Sequence, residues 1–144
     1  MKTLKTIILG LIAVITFGAA SAKSNPTAAE KSSVNYTLTS YVNALTLGQN
    51  DAVSEVLDND FKFTMLRGKS IVSWNKDQML ESLKSTADIK QDCKSTVTIT
   101  ESNSDITVAK VTLEYPGFTR TNYVTVASTT DGWKITSIYS VYKS

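Results

Sequence analysis

Four successive runs of alternating residues near the end of the chain constrain the fold more than any other feature. They occupy residues 95–100, 105–115, 121–129 and 133–143. Apolar and β-branched residues recur in them at every second position, which is typical of strands with one buried face. Asp131-Gly132 separates the last two runs, and Asp-Gly between β-rich runs favours a tight hairpin. The pattern therefore predicts an antiparallel meander.

The alternation within this meander has one irregularity. Ile106 and Val108 are out of phase with Val111 and Leu113. A β-bulge near Ala109-Lys110 would explain the change of phase and would curve the sheet, and burial of both faces would explain it equally well. In the last run, alternation predicts one shared face for Trp133, Ile135, Ser137, Tyr139 and Val141.

Residues 1–22 have the features of a signal peptide. Lys2 and Lys5 precede an apolar stretch over residues 7–20, and Ala20-Ser21-Ala22 fits the small-x-small pattern of a cleavage site. The apolar stretch is shorter than the roughly 20 residues of a membrane-spanning helix, so an uncleaved anchor is the less favoured alternative. We therefore expect an exported bacterial protein that is periplasmic or secreted.

Cleavage would change the charge balance of the chain. The full sequence has 15 Lys and Arg against 13 Asp and Glu, and the two lysines in excess both belong to the predicted signal peptide. The mature protein would therefore be neutral overall. A neutral domain has no general electrostatic attraction to nucleic acid or to an anionic membrane, so we expect neither as a partner.

Two helices are predicted ahead of the first strand. Residues 23–33 are small and polar and read as a flexible leader, after which we place the domain at residues 34–144. Apolar residues then recur at helical spacing from Leu38 to Leu45, with Thr37 or Thr39 as the cap and Gly48 as the end. A second short helix is expected after Asn50-Asp51, and residues 58–60 are expected to stop it.

A strand, a turn and a third helix follow. Phe61, Phe63 and Met65 alternate with polar residues as in a strand, and residues 67–70 are expected to turn the chain back through Trp74. Asn75 is the expected cap of a helix that runs to Ala87. We therefore predict an α+β fold, in which a curved antiparallel sheet has three N-terminal helices packed on its concave face.

Four local motifs along the chain point to a known family. They are Tyr41 with Ala44-Leu45 before Gly48-Gln49-Asn50-Asp51, then residues 57–61, residues 74–80 and residues 131–135. Their order resembles the nuclear transport factor 2-like (NTF2-like) superfamily, and within it the exported bacterial group known as SnoaL-like or "putative lumazine-binding". The resemblance implies a cone-shaped α+β fold with a pocket at its wide end. It also implies a homodimer that forms through the outer face of the sheet.

The residue types exclude several kinds of active site. The sequence has no His and a single Cys, Cys93, so a zinc or redox-metal site and a Ser-His triad lack their usual residues. Cys93 cannot form an internal disulfide, and a small buried or edge residue is the favoured interpretation. We expect no metal and no cofactor.

The resemblance also raises the question of acid–base catalysis, because the superfamily includes ketosteroid isomerase. A site of that type needs a carboxylate base and a Tyr donor. Tyr41 and Asp60 are weak candidates for these roles, whereas Glu114 is expected to point outward. No complete catalytic set carries over, so a binding protein is favoured over an enzyme.

A ligand pocket is expected on the concave face. The candidate residues are Tyr41, Phe63, Met65, Arg67, Trp74, Tyr115, Arg120, Tyr123, Trp133 and Tyr139. Arg67 or Arg120 at its mouth would bind an anionic ligand, although a solvent-exposed hairpin end is the favoured interpretation for Arg67. The preferred hypothesis is binding of a small organic molecule. The alternatives are an isomerase or dehydratase-like enzyme and a non-catalytic dimeric scaffold.

Overall fold

The computed structural model describes residues 27–144, so the predicted signal peptide lies outside the described residues. Within the predicted leader, Thr27 caps a single helical turn through a capping box with Glu30. The elements in chain order are α1 Ala28–Lys31, α2 Val34–Leu47, α3 Val53–Val56, β1 Leu57–Arg67, β2 Ser70–Asn75, α4 Lys76–Lys84, β3 Lys94–Ser102, β4 Ile106–Tyr115, β5 Phe118–Thr129 and β6 Gly132–Lys143.

The strands form one curved, open sheet in the order β2-β1-β6-β5-β4-β3. The antiparallel meander from β3 to β6 is confirmed. The predicted α+β fold with a curved sheet is confirmed, and one pair of the described strands departs from the antiparallel pattern, because β1 runs parallel to β6. The chain leaves the β1–β2 hairpin through α4 and enters the far edge of the sheet at β3. The meander then returns to β1, and its last strand arrives in the parallel direction.

The predicted bulge at Ala109-Lys110 lies instead on the neighbouring strand. Ile99 pairs with Ala109 and Glu101 pairs with Val108, so Thr100 is the extra residue on β3. β4 itself keeps an unbroken register with β5. Its buried residues are Thr107, Ala109, Val111 and Leu113, while Val108 on the other face is half-buried. Partial burial of both faces therefore explains the mixed pattern of β4.

A second bulge changes which residues of β6 face inward. Thr125 pairs with Ser137 and Val126 pairs with Ile135, so Thr136 has no partner in the ladder. Before the bulge Ile135 is buried, and after it Ile138 and Ser140 are buried. The predicted single face from Trp133 to Val141 is therefore wrong, since a bulge moves every later side chain to the opposite face.

α2 is the long helix that covers the concave face. Its cap is Ser33, whose hydroxyl accepts a hydrogen bond from the Tyr36 N–H, rather than Thr37 or Thr39. Thr37 instead donates its hydroxyl to the Trp133 carbonyl at 2.9 Å and so connects the helix to β6. The predicted end at Gly48 is confirmed by its left-handed φ of 66°.

α3 is shorter than expected and has a different start. No side chain caps it, and Asn50 donates its Nδ2–H to the Leu83 carbonyl of α4. β1 begins at Leu57, directly after the helix, so residues 58–60 belong to the strand and do not form a stop signal.

The Asn75 cap of α4 is confirmed by a capping box with Gln78, but α4 ends at Lys84, before Ala87.

The hydrophobic core lies between the helices and the inner face of the sheet. α2 contributes Leu38, Tyr41, Val42 and Ala44, and α4 contributes Met79 and Leu83. The sheet contributes the buried residues Leu57, Phe61, Phe63, Val97, Ala109, Val111, Leu113, Val124, Val126, Ile135 and Ile138. The helices cover only part of the concave face, and a cavity remains beside α4.

Candidate functional site

A cavity of about 240 Å³ opens on the concave face, between α4 and the strands. It is lined by Leu45, Phe63, Met65, Trp74, Met79, Ser82, Leu83, Ser85, Thr86, Gln91, Tyr115, Arg120 and Tyr142. Apolar and aromatic walls with a few polar groups are the usual composition of a small-molecule site, and the volume lies somewhat below the usual range of about 300–1,000 Å³.

Aromatic rings from neighbouring strands form the walls of the cavity. Phe63 of β1 pairs with Trp74 of β2, and their rings stack at 5.1 Å between centroids. On the other side, Tyr115 of β4 lines the cavity, and Phe118 of β5, outside the lining, stacks on its ring at 4.6 Å with only 7° between their planes. These flat surfaces suit a planar ligand, which stacks favourably on aromatic rings.

Arg120 of β5 brings a positive charge into this aromatic surrounding. Its guanidinium carbon lies 5.9 Å from the centre of the Phe63 ring and 5.7 Å from that of Tyr142. Its Nε–H donates to Asn122 Oδ1 at 3.2 Å and to Ser140 Oγ at 3.0 Å. Strand geometry explains the grouping, because Arg120 and Asn122 are two residues apart and Asn122 pairs with Ser140.

Two fully buried polar atoms beside Arg120 have no hydrogen-bond partner among residues 27–144. They are the Asn122 Nδ2 atom and the Tyr41 hydroxyl, whose residues are both 0% exposed. The Asn122 amide is oriented by Arg120, since its Oδ1 accepts the Arg120 Nε–H and its Nδ2 must face the other way. Buried polar groups without partners are rare, and their occurrence together marks this region as a candidate site.

Burial shifts the acid–base behaviour of three groups near the cavity. It raises the pKa of the Tyr41 phenol, an effect that the Arg120 charge partly offsets. Burial also raises the pKa of Tyr115 to about 12, with a further contribution from Cys93. The pKa of the half-buried Cys93 thiol is raised by the same cause. All three groups are therefore neutral at pH 7, and Cys93 is a poor nucleophile.

The cavity lining contains no Asp or Glu within the part of the chain that the structure describes. Asp60, the weak candidate for a catalytic base, is exposed on β1, and its backbone N–H donates a hydrogen bond to the carboxylate of Asp58. Glu114 is exposed next to the buried Leu113. The described residues therefore place no carboxylate base beside Tyr41. They also hold no cluster of three or more His, Cys, Asp or Glu suited to a metal.

The structure brings some of the predicted pocket residues together and separates others. Phe63, Met65, Trp74, Tyr115 and Arg120 line the cavity. Tyr41 is fully buried and does not line it, although the Arg120 charge acts on its phenol.

Four predicted pocket residues lie away from the cavity. Arg67 is exposed at the end of β1, as the favoured interpretation expected. Trp133 packs at the start of β6, where its carbonyl accepts from Thr37 of α2. Tyr123 and Tyr139 pair with each other on the outer face of the sheet, 45% and 39% exposed. The bulge at Thr136 explains the position of Tyr139, because it reverses the phase of β6.

Sequence reasoning missed three residues around Arg120, namely Asn122 and Ser140, which accept its Nε–H, and Tyr142, which lines the cavity. Asn122 shares the inner face of β5 with Arg120 two residues before it, and this spacing was a usable signal. Ser140 and Tyr142 were hidden by the phase change in β6. The side chains from α4 and the following turn, such as Ser82 and Gln91, carried no signal in the sequence.

A second cavity of about 400 Å³ lies between α3 and α4. Its lining includes Asn50, Val53, Leu80 and Glu81 but no aromatic side chain. The first cavity is therefore the stronger candidate for a ligand site.

None of the helices described in residues 27–144 is both long enough and apolar enough to cross a bilayer.

Comparison with known proteins gives one family and a group of similar structures. The sequence profile of the family described as "Putative lumazine-binding" matches residues 29–140. A comparison with curated proteins found no match.

Several solved structures share the fold at low sequence identity. An NTF2-like protein of unknown function from Silicibacter pomeroyi DSS-3 is 20% identical with a TM-score of 0.60, over 82% of this chain and 98% of that chain. An NTF2-like protein of unknown function from Shewanella baltica OS155 is 11% identical with a TM-score of 0.62, and the match covers 83% of this chain and 97% of that chain. One from Methylobacillus flagellatus KT is 13% identical with a TM-score of 0.60, also over 83% and 97%. At these identities the likeness establishes the fold alone.

Proposed function

The chain belongs to the "Putative lumazine-binding" family of NTF2-like proteins, and from that premise we propose that it binds a small, flat organic molecule in the cavity beside α4. The observation that carries the proposal is the combination of aromatic walls with the Arg120 guanidinium in one lining. Planar rings would stack on the walls, and polar ring substituents would pair with Arg120. The family description makes lumazine, a bicyclic pteridine with two ring carbonyls, the first compound to test.

The proposed role is binding without catalysis. An isomerase or dehydratase of the ketosteroid isomerase type needs a carboxylate within hydrogen-bond reach of the substrate. The cavity lining in residues 27–144 offers phenols and a guanidinium but no such base. A dimeric scaffold without a ligand is the remaining alternative, and it predicts that no compound stabilises the protein.

Thermal denaturation tests the proposal. A ligand present at about 100 times its Kd adds about 2.7 kcal/mol to the free energy of unfolding, which raises Tm by several degrees in a domain of this size. We expect lumazine or a related bicyclic heteroaromatic compound to raise Tm in this way. Ser82→Trp, which places a large ring in the cavity, should abolish the shift, while Arg67→Gln outside the cavity should retain it. No stabilisation by any flat heteroaromatic compound would contradict the proposal.

We also propose that the protein is exported and cleaved after Ala22. The support is the charged, apolar and small-residue order of residues 1–22. Expression in a bacterial host with a Sec pathway, followed by intact-mass analysis of the exported protein, tests this. A mass that begins at Lys23 is expected, whereas a cytoplasmic chain that retains Met1 would contradict it.

The homodimer implied by the resemblance is also a proposal, with the outer face of the sheet as its interface. That face carries Tyr123 and Tyr139 as a cross-strand pair, with the half-buried Thr121 and Val141 beside them. Aromatic residues such as this tyrosine pair are enriched at the centres of protein interfaces.

A further inference from the structure

The terminal nitrogens of Arg120 have no hydrogen-bond acceptor among residues 27–144. Its only hydrogen bonds use Nε, and the only ion pair found within residues 27–144 joins Lys84 and Glu81 on the exposed side of α4. A guanidinium that lines a cavity without a carboxylate partner is energetically unfavourable, because partial burial weakens its hydration and nothing replaces it.

The side chain of Arg120 is nevertheless held in one orientation. Asn122 Oδ1 and Ser140 Oγ fix its Nε, and the rings of Phe63 and Tyr142 lie close to the guanidinium. An arginine fixed in this way presents its planar fork with little loss of conformational entropy when a ligand arrives. The geometry of the fork matches two oxygens of one planar group.

The surroundings of Arg120 contain more hydrogen-bond donors than acceptors. Asn122 Nδ2 and the Tyr41 hydroxyl are buried without partners, and Tyr41 is protonated at pH 7. Neither residue lines the cavity, and neither brings negative charge to Arg120. This end of the cavity therefore favours a group that supplies acceptors and negative charge.

We propose that the ligand is an aromatic carboxylic acid, whose carboxylate binds the terminal nitrogens of Arg120 while its ring lies against the aromatic walls. The inference rests on the proposed small-molecule function of the same cavity. Asn122 is a positioning residue, since it holds the guanidinium through Nε. A phosphate fits less well, because Arg120 is the only charged side chain that residues 27–144 contribute to the lining, and a dianion would keep an unpaired charge.

The charge of the ligand can be tested with matched pairs of compounds in isothermal titration calorimetry. We would compare benzoate and 2-naphthoate with their primary carboxamides at pH 7, where both acids are ionised. Charge-assisted hydrogen bonds contribute enough that we expect the better acid to bind about 10- to 100-fold more tightly than its amide. Arg120→Gln should remove most of this preference, and Arg67→Gln should leave it unchanged.

A second variant separates the role of Asn122 from a loss of folding. Asn122→Asp keeps the shape of the side chain but places a carboxylate beside Arg120, so that the guanidinium is neutralised within the protein. We expect it to fold, as judged by its thermal transition, to bind the acid about tenfold or more weakly and to bind the carboxamide as before. A purely structural role would weaken the acid and the amide equally.

The outcomes distinguish this inference from the proposed function. If acids and amides bind equally well, or if Arg120→Gln leaves the preference unchanged, the carboxylate inference is wrong and small-molecule binding stands. If lumazine binds and neither acid does, the carboxylate inference is likewise wrong and small-molecule binding stands. If lumazine, both acids and both amides all fail to bind, the carboxylate inference and the proposed function are both wrong.

Discussion

The guanidinium carbon of Arg120 lies 5.9 Å from the centre of the Phe63 ring, although their strands are not neighbours in the sheet. β6 separates β5 from β1, and on a flat sheet two residues across an intervening strand would stand about 10 Å apart. The long side chain of Arg120 reaches across β6 on the concave face, and this brings its charge beside the Phe63 ring of the cavity wall.

Ligand binding should change the fluorescence of one tryptophan and not the other. Trp74 lines the cavity, whereas Trp133 lies at the start of β6 and contacts α2 through its backbone. We expect a bound aromatic ligand to quench emission in the wild type and in Trp133→Phe, and to have little effect in Trp74→Phe. A ligand response that depends on Trp133 would place the binding site elsewhere.

Gly48 should tolerate alanine much less well than Gly68. Both have positive φ, 66° and 64°, but a Cβ at Gly48 would lie 2.4 Å from the Asp88 nitrogen, whereas a Cβ at Gly68 would have no atom within 4 Å. Gly68→Ala should therefore cost about 1 kcal/mol of left-handed strain. Gly48→Ala adds a backbone clash and should cost about 2–4 kcal/mol in all. Urea denaturation of the two variants measures the difference, and equal losses would contradict the close packing of α2 against residues 86–89.

Tyr41→Phe should leave the stability of the free protein nearly unchanged at pH 7. The hydroxyl is buried without a partner among the described residues, so its removal costs no hydrogen bond and is expected to change the free energy of unfolding by less than about 1 kcal/mol. A loss of more than about 2 kcal/mol would mean that the hydroxyl has a strong partner.

The same variant should reduce the sensitivity of the protein to alkali. The folded-state pKa values of Tyr41 and Tyr115 are raised, the latter to about 12, so the unfolded chain releases these protons first as the pH rises above 10. The unfolded state then binds fewer protons, and stability falls with pH in this range. Denaturation between pH 8 and 11 should show a smaller loss in Tyr41→Phe than in the wild type. An identical loss of stability in the two proteins would mean that ionisation of Tyr41 does not contribute to alkaline unfolding.

Charge on the outer face of the sheet should dissociate the proposed dimer. Tyr139→Lys would place a lysine beside Tyr123 and near Lys110, which pairs with Tyr123. Sedimentation velocity should give a dimer for the wild type and a monomer for this variant. Ile89→Lys, at an exposed position in the α4–β3 connection, is the matched control and should remain dimeric. A wild type that is monomeric at all concentrations would rule the dimer out.

The sequence predicted the meander and the helix limits at Gly48 and Asn75 because each depends on local signals. Each of these signals acts on residues close to it in the sequence: Asp-Gly in a hairpin turn, a glycine in the left-handed region at a helix end, and an Asn cap at a helix start. The parallel pairing of β1 with β6 and the bulges at Thr100 and Thr136 depend on contacts between distant segments, and no local signal specifies them.

The sequence likewise predicted the part of the candidate site that depends on local alternation, and not the part that depends on how distant strands pair. Phe63, Trp74 and Tyr115 followed from aromatic residues on inward strand positions. Tyr139 was assigned to the wrong face, because a bulge of one residue reverses all later positions. The grouping of Asn122 and Ser140 around Arg120 depends on which strand lies next to which, and this is a property of the whole sheet.

Two-dimensional ¹H–¹⁵N NMR of the protein with lumazine tests the central claim most directly. We predict that titration shifts the Trp74 indole N–H, the Arg120 Nε–H and the Asn122 side-chain amide, and leaves the Trp133 indole N–H in place. Shifts confined to the outer face of the sheet or to the groove between α3 and α4 would contradict the account, as would an unchanged spectrum with lumazine and with every other flat aromatic compound tested.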